Sequence, residues 1–180
     1  WGEGGRRGRW CGGGPGGGSV WRRLGAGTAD AETPKPDATT RDVLHRQWTE
    51  IGDKVVKLAE EFPEDKYEFR PVPGVRTFGD NLRHVAFWNG YVAKTARGEK
   101  ADAKQNELPK AEYATKAKIV AALESSLAEA TAQLKNGPAT PTPKLMELWV
   151  SVTEHSGEHS GQMVVYGRLN AIVPPASPGP

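Results

Sequence analysis

The sequence has very little cysteine and no long apolar run. Cys11 is the only cysteine among 180 residues, so an intramolecular disulfide is excluded and the residues beyond the N-terminal region offer no thiolate to a metal. No apolar stretch approaches the roughly 18 residues of a membrane span, and none has the pattern of a secretory signal. We therefore expect a cytoplasmic protein without membrane association, while an exported form stays open because the first residue is Trp1 rather than Met.

Most of the chain also lacks an excess of one charge. Residues 1–37 hold six of the 24 Lys and Arg residues and four of the 22 Asp and Glu residues, so residues 38–180 carry 18 of each sign. A body of mixed and balanced charge is not typical of a polyanion binder. We therefore expect no nucleic-acid partner.

Residues 1–37 differ from the rest in composition, because they hold 12 of the 22 glycines and few aliphatic side chains. Such a segment cannot bury enough apolar surface to offset its chain entropy, which predicts a disordered, Gly- and Arg-rich tail. Its arginines and tryptophans also suit stacking on nucleic acid. A misplaced start or a fragment end is the favoured interpretation, and we expect the tail to be dispensable.

Four amphipathic helical patterns follow the tail, and no strand pattern or repeat accompanies them. The predicted helices run from Thr39 or Thr40 to about Glu61, from Thr77 to about Gly98, from about Glu112 to Lys135, and from Thr142 to about Asn170. Three prolines and a glycine make residues 63–76 a connection, whose Tyr67 and Phe69 we expect to pack on the body. The predicted fold is all-α, a four-helix bundle over residues 38–176, with residues 177–180 as a C-terminal tail.

The last predicted helix carries two histidines on its apolar face. His155 and His159 are four residues apart, so their rings lie one turn apart. They share an apolar stripe with Leu145, Leu148, Val152, Tyr166 and Leu169. Imidazoles on a core stripe need partners, and a metal ion would satisfy both rings. For such a pair alone, ordinary half-buried histidines remain the alternative, but His84 at the buried edge of the second helix adds a third candidate ligand.

The histidine arrangement resembles the DinB family, including its DinB/YfiT-like members, over residues 39–176. The resemblance rests on four segments: Asn81–Ala86 around His84, His155–Gln162, the loop Tyr67–Pro71, and the C-terminal stretch Gln162–Ser177. The family implies a four-helix bundle in which one histidine of helix 2 and two of helix 4 hold a divalent metal. Here these are His84, His155 and His159.

Three histidine ligands leave coordination positions open, as in catalytic rather than structural zinc sites. Imidazole does not select the metal, so zinc or nickel is expected first, with iron and manganese as further candidates. Such a metal lowers the pKa of water or of a thiol and so supplies a nucleophile near neutral pH. The resemblance therefore suggests a metal-dependent transferase or hydrolase that acts on a small molecule, with a low-molecular-weight thiol as one candidate cofactor.

Two other functions stay open: a non-catalytic, stress-associated metal-binding bundle, and an interaction module that forms a homodimer.

The spacing of residues around the histidines suggests further candidates for the site. Gln162 lies one turn after His159 and is the candidate catalytic residue. Trp48 and Trp88 are candidates for lining a pocket, although filling the core is the alternative for both. Asp80 either orients His84 or only caps its helix, and capping is the favoured interpretation.

Overall fold

The computed structural model describes residues 37–175, which contain four α-helices and no strand. The helices are α1 (Thr40–Glu61), α2 (Phe78–Ala96), α3 (Lys116–Asn136) and α4 (Pro143–Leu169), and a 3-10 helix spans Glu64–Lys66. The predicted all-α four-helix fold is therefore confirmed. The predicted tails fall almost entirely on residues 1–36 and 176–180, which lie outside the described part.

All four helices begin at a threonine N-cap. The hydroxyls of Thr39, Thr77, Thr115 and Thr142 each accept a hydrogen bond from the amide three residues later, at 3.1–3.4 Å. The predicted start of α3 near Glu112 is wrong by four residues. The amides of Glu112 and Tyr113 instead bond to the carbonyl of Pro109 in a turn, and the helix follows Thr115.

The helices pack in a closed arrangement in which α1 and α2 each contact both α3 and α4. Two apolar clusters fill the interior: one surrounds Phe62, Phe78 and Met163, and the other surrounds Trp48 and Trp149. Along α4, the buried Ser156, His159 and Ser160 separate the two clusters. A polar layer therefore crosses the core where α2 faces α4.

The connection between α1 and α2 packs on the body as expected. Tyr67 is buried and donates a hydrogen bond of 2.6 Å to the carbonyl of Ala59, while Phe69 meets Tyr166 edge to face. The prediction that Leu169 belongs to the core-facing apolar stripe of α4 is wrong, because Leu169 is exposed in the final turn of the helix. None of the described helices is long and apolar enough to cross a membrane.

Candidate metal centre

Helices α2 and α4 bring three histidines together in the polar layer, and we call His84, His155 and His159 the histidine cluster. One ligand nitrogen from each ring lies within 4.8 Å of the others. The ring centroids are 4.6–4.8 Å apart. The Nε2 atoms of His84 and His155 are separated by only 2.8 Å. The helical spacing that suggested a shared face thus corresponds to a compact three-nitrogen site.

Hydrogen bonds at the far side of two rings determine which nitrogen faces the centre. Nδ1 of His84 donates to the backbone carbonyl of Asn106 at 2.5 Å, and Nδ1 of His159 donates to Oε1 of Gln162 at 2.9 Å. A neutral imidazole that donates through Nδ1 has its lone pair on Nε2. These two rings therefore present Nε2 as a ligand atom, whereas Nδ1 of His155 is buried without a partner among the described residues.

Burial keeps the cluster neutral. Burial is the largest cause that lowers the pKa of His84 and of His155, to about 4 in each case, and it also lowers the pKa of His159. The positive charge of Arg76 acts on all three rings in the same direction. Metal ligation requires unprotonated imidazole, so the rings are in the competent state at neutral pH without first losing a proton.

Asn106 is the main site residue that the sequence did not predict. It lies in the connection between α2 and α3, with a positive φ of 58° that asparagine tolerates better than most residues. Its carbonyl accepts from His84, and its side-chain oxygen accepts from Nε1 of Trp88 at 3.0 Å. A residue in a polar link thus holds two aromatic rings of α2, and only its identity in a turn-rich stretch hinted at this.

Asp80 does not orient the ring of His84, because Asn106 occupies that position. Instead, Asp80 completes a capping box with Thr77 and forms an ion pair with the buried Arg83. Arg83 also donates to the carbonyl of Tyr113 at 3.0 Å, and its own carbonyl accepts from the amide of Leu108. These bonds attach the α2–α3 connection, which carries Asn106, to α2.

The two candidate tryptophans lie in different places. Trp88 is half-buried, with its ring centroid 5.7 Å from that of His155 and 6.3 Å from that of His84. Trp48 instead packs against Trp149 at 5.6 Å and donates from Nε1 to Thr131. It is not among the described residues that line the cavities beside the histidine cluster, so its position agrees with core filling.

Two cavities flank the cluster. The larger, about 710 Å³, reaches His159 and Gln162, and we call it the Arg76 cavity. Its lining consists of Pro71, Gly74, Val75, Arg76, Asp80, Asn81, Glu107, His159, Gln162, Val165 and Tyr166. The smaller, about 210 Å³, is mostly apolar and lies between Trp88, Leu148 and His155. Gln162 is exposed, lines the larger cavity and contacts His159.

The donor set fits a divalent cation. Two nitrogens bound to a tetrahedral zinc at 2.0–2.1 Å would be roughly 3.3 Å apart, so the 2.8 Å contact of His84 and His155 needs to open by only a few tenths of an ångström. Two of the three rings have the carbonyl acceptors that commonly support ligating histidines. A buried contact between two neutral ring nitrogens, with no carboxylate bonded to either, is the arrangement that a cation would relieve.

Comparison of the sequence with known protein families identifies the family to which the chain belongs. The sequence model described as the DinB superfamily matches residues 47–163, which is well over half of the chain and includes all three histidines of the cluster. No curated protein matches the chain. The family match and the three-histidine cluster together support a divalent metal.

Proposed function

This chain belongs to the DinB superfamily, and we propose that it is a divalent-metal-dependent enzyme that activates water or a low-molecular-weight thiol for attack on a small organic molecule. One observation carries the proposal: three histidine nitrogens within 4.8 Å of one another lie beside a cavity of about 710 Å³. A structural metal site has four protein ligands and no need of a cavity.

The residues of the proposed site have two roles: three histidines bind the cation, and Gln162 positions one of them. His84, His155 and His159 would hold the cation through neutral nitrogens, with zinc or nickel as the leading candidates and iron or manganese as further ones. When bound, the cation lowers the pKa of water or of a thiol and supplies a nucleophile near neutral pH. Gln162 acts first as a positioning residue, because its Oε1 holds His159 in the tautomer that presents Nε2.

The cavity walls supply access and shielding. The Arg76 cavity would admit a small molecule to His159, and the exposed Gln162 in its lining would touch that molecule. On the other side, Trp88 covers the edges of His84 and His155, and its bond to Asn106 holds the ring there. A metal site beside a cavity of this size, with an aromatic side chain over two of its ligands, suits attack on a small molecule.

The test is metal content followed by turnover. Purified protein should bind about one divalent ion per chain, and His84→Ala, His155→Ala and His159→Ala should each lose most of it, because two protein ligands remain. His45→Ala, a histidine outside the cluster, is the matched control and should keep the metal.

Metal-loaded protein should then turn over members of a panel of hydrolysable esters and amides, or of thiols with carbon electrophiles, whereas the metal-free protein should not. The cobalt-substituted protein should also change its visible absorption when a thiol is added. Metal binding with no turnover and no spectral response to any thiol would refute the enzyme and leave a structural metal-binding bundle. Equal metal loss in His45→Ala and His159→Ala would refute the ligand set.

A further inference from the structure

The wall of the Arg76 cavity contains a buried amide that has no partner. Asn81 is 1% exposed, and its Nδ2 makes no hydrogen bond within residues 37–175. An unsatisfied buried donor is costly, so a native structure that keeps one usually has an acceptor for it. Asn81 lies on α2 one turn before His84, which places the residue on the side of the helix that faces the cluster, and it is part of the cavity lining.

Arg76 supplies a positive charge to the same cavity. The hydroxyl of Tyr166 donates to its backbone carbonyl at 3.0 Å, which ties the segment to α4. Its guanidinium bonds to Glu107 only through Nε, at 3.5 Å, and both side chains are more than a third exposed. Such a pair is weak and is readily exchanged for a better acceptor. The two terminal nitrogens of Arg76 have no partner among the described residues.

The acidic residues of the cavity do not oppose an anion strongly. Asp80 is already neutralised by Arg83 and bonded to Thr77, and Glu107 can turn toward solvent when Arg76 takes another partner. A cation held by the histidine cluster would add positive charge beside His159 in the wall of the cavity. Valine side chains at positions 75 and 165, together with Tyr166, provide an apolar wall for the rest of a ligand.

We infer that Arg76 and Asn81 form an anion subsite, and that the molecule entering the site carries a carboxylate next to an apolar body. This inference deepens the proposed function, on which it rests, by naming the class of small molecule that the metal site takes. The planar fork of arginine suits a carboxylate, and the Asn81 amide adds one donor to its second oxygen. The carboxylate can belong to the electrophile or to the thiol.

Calorimetric titration tests the subsite with benzoate and its neutral isostere benzamide, on both zinc-loaded and metal-free full-length protein. Benzoate should bind at least about tenfold more tightly than benzamide in both forms. Arg76→Gln should remove that preference, and Asn81→Leu should weaken benzoate several-fold. Arg70→Gln changes an exposed arginine of the same connection that does not line the cavity, so it should leave benzoate affinity within about twofold.

The possible results of this titration distinguish failure of the anion subsite from failure of the proposed metal-dependent function. Benzoate binding that needs zinc and is unchanged in Arg76→Gln would put the carboxylate on the metal and overturn the subsite. Equal affinity for benzoate and benzamide would overturn it as well. If Asn81→Leu does not fold, Arg76→Gln decides alone, since Arg76 is partly exposed and outside the helices. A chain that binds no zinc refutes the proposed function, whereas the metal-free titration still tests the subsite.

In a second arm, turnover is compared for electrophiles and thiols with and without a carboxylate. Loss of the carboxylate from only one reactant should lower kcat/KM about tenfold, and Arg76→Gln should abolish that difference. The reactant that responds is the one that the subsite recognises. If neither reactant responds while turnover continues, the carboxylate is not part of the substrate and the inference is wrong.

Discussion

The ion pair between Asp80 and Arg83 leads to a sharp prediction about stability. The side chain of Arg83 is 1% exposed and that of Asp80 is 23% exposed. Burial alone would raise the pKa of Asp80, but hydrogen bonds from Arg83 and Thr77 outweigh burial, and the pKa lies below its ordinary value of 3.8. Asp80 is therefore charged at neutral pH, and it is the only acidic group bonded to a guanidinium that is almost wholly inside the described fold.

Asp80→Asn should remove that charge while keeping a side chain of nearly the same shape. Breaking a buried ion pair on one side costs about 3–5 kcal/mol, because the remaining charge has no counterion. We expect the lower end, about 3 kcal/mol, since water reaches one side of Asp80. For a domain of this size that corresponds to a fall of about 10 °C in Tm, measured by circular dichroism. Asp80→Asn combined with Arg83→Met should recover much of the loss, because neither charge is then left buried.

Asp42→Asn is the matched control. Asp42 occupies the same third position of the capping box of α1 and also contacts an arginine, but that pair is exposed. Its loss should be a small fraction of that of Asp80→Asn. Equal losses would show that capping, not the buried charge, explains the effect, and would refute the reasoning. Because the pKa of Asp80 is lowered in the folded state, its contribution to the free energy of unfolding is present above about pH 4 and is lost as the pH falls below that value. Asp80→Asn should therefore make the free energy of unfolding less dependent on pH in this acidic range.

Three further predictions concern the site and its helix. Gln162→Leu should weaken zinc binding by about tenfold, since His159 loses its acceptor, whereas Gln162→Glu should retain most of the affinity; a metal-competition titration measures both. Gly161→Ala should raise the free energy of unfolding by about 0.5–1 kcal/mol in urea titration, because Gly161 is inside α4 and the added Cβ would meet no atom within 4 Å beyond its chain neighbours and the adjoining helix backbone; a loss would contradict the open space there. Because burial holds the pKa of His84 and of His155 near 4, zinc affinity should change little from pH 7 to about 5.5 and fall below that; a fall centred on 6.5, the ordinary histidine value, would contradict the buried, neutral cluster.

The sequence was most informative about local structure. Threonines at the N-caps and the proline and glycine residues near the helix ends act on neighbours within a few positions, so three of the four helix starts agree with the structure. The exception is α3, where residues 112–115 suit a helix by composition but Thr115 takes the N-cap position. The convergence of the histidines was predictable for a related reason, since helical spacing fixes the face of α4 and the family resemblance names α2 as its partner.

What the sequence could not provide depends on contacts across the bundle. The bond from His84 to Asn106 joins residues 22 positions apart and needs a left-handed backbone in a link without periodicity. An arginine such as Arg83 is expected at the surface, and its burial follows only from Asp80 and the carbonyl of Tyr113. The apolar periodicity of α1 predicted that Trp48 faces the bundle interior, but not how far along the bundle axis it lies from the histidines. Trp48 packs on Trp149, which precedes His155 by six residues, or roughly 9 Å of helix.

Two of the side chains with a buried, unsatisfied polar atom, Asn81 and His155, belong to the proposed site. Within residues 37–175, the atoms of this kind are Asn81 Nδ2, Arg83 Nε, Asn89 Oδ1 and His155 Nδ1. All four lie on α2 or α4, the two helices that form the histidine cluster, although α1 and α3 also contribute long helices to the core. Each such group lowers stability unless something satisfies it. Sequences that otherwise follow local rules break them mainly at functional sites, because a packed and satisfied interior leaves no place for a ligand. The unsatisfied groups therefore lower the stability of the ligand-free bundle, and we expect a cation beside His155 and an anionic molecule beside Asn81 to offset part of that loss.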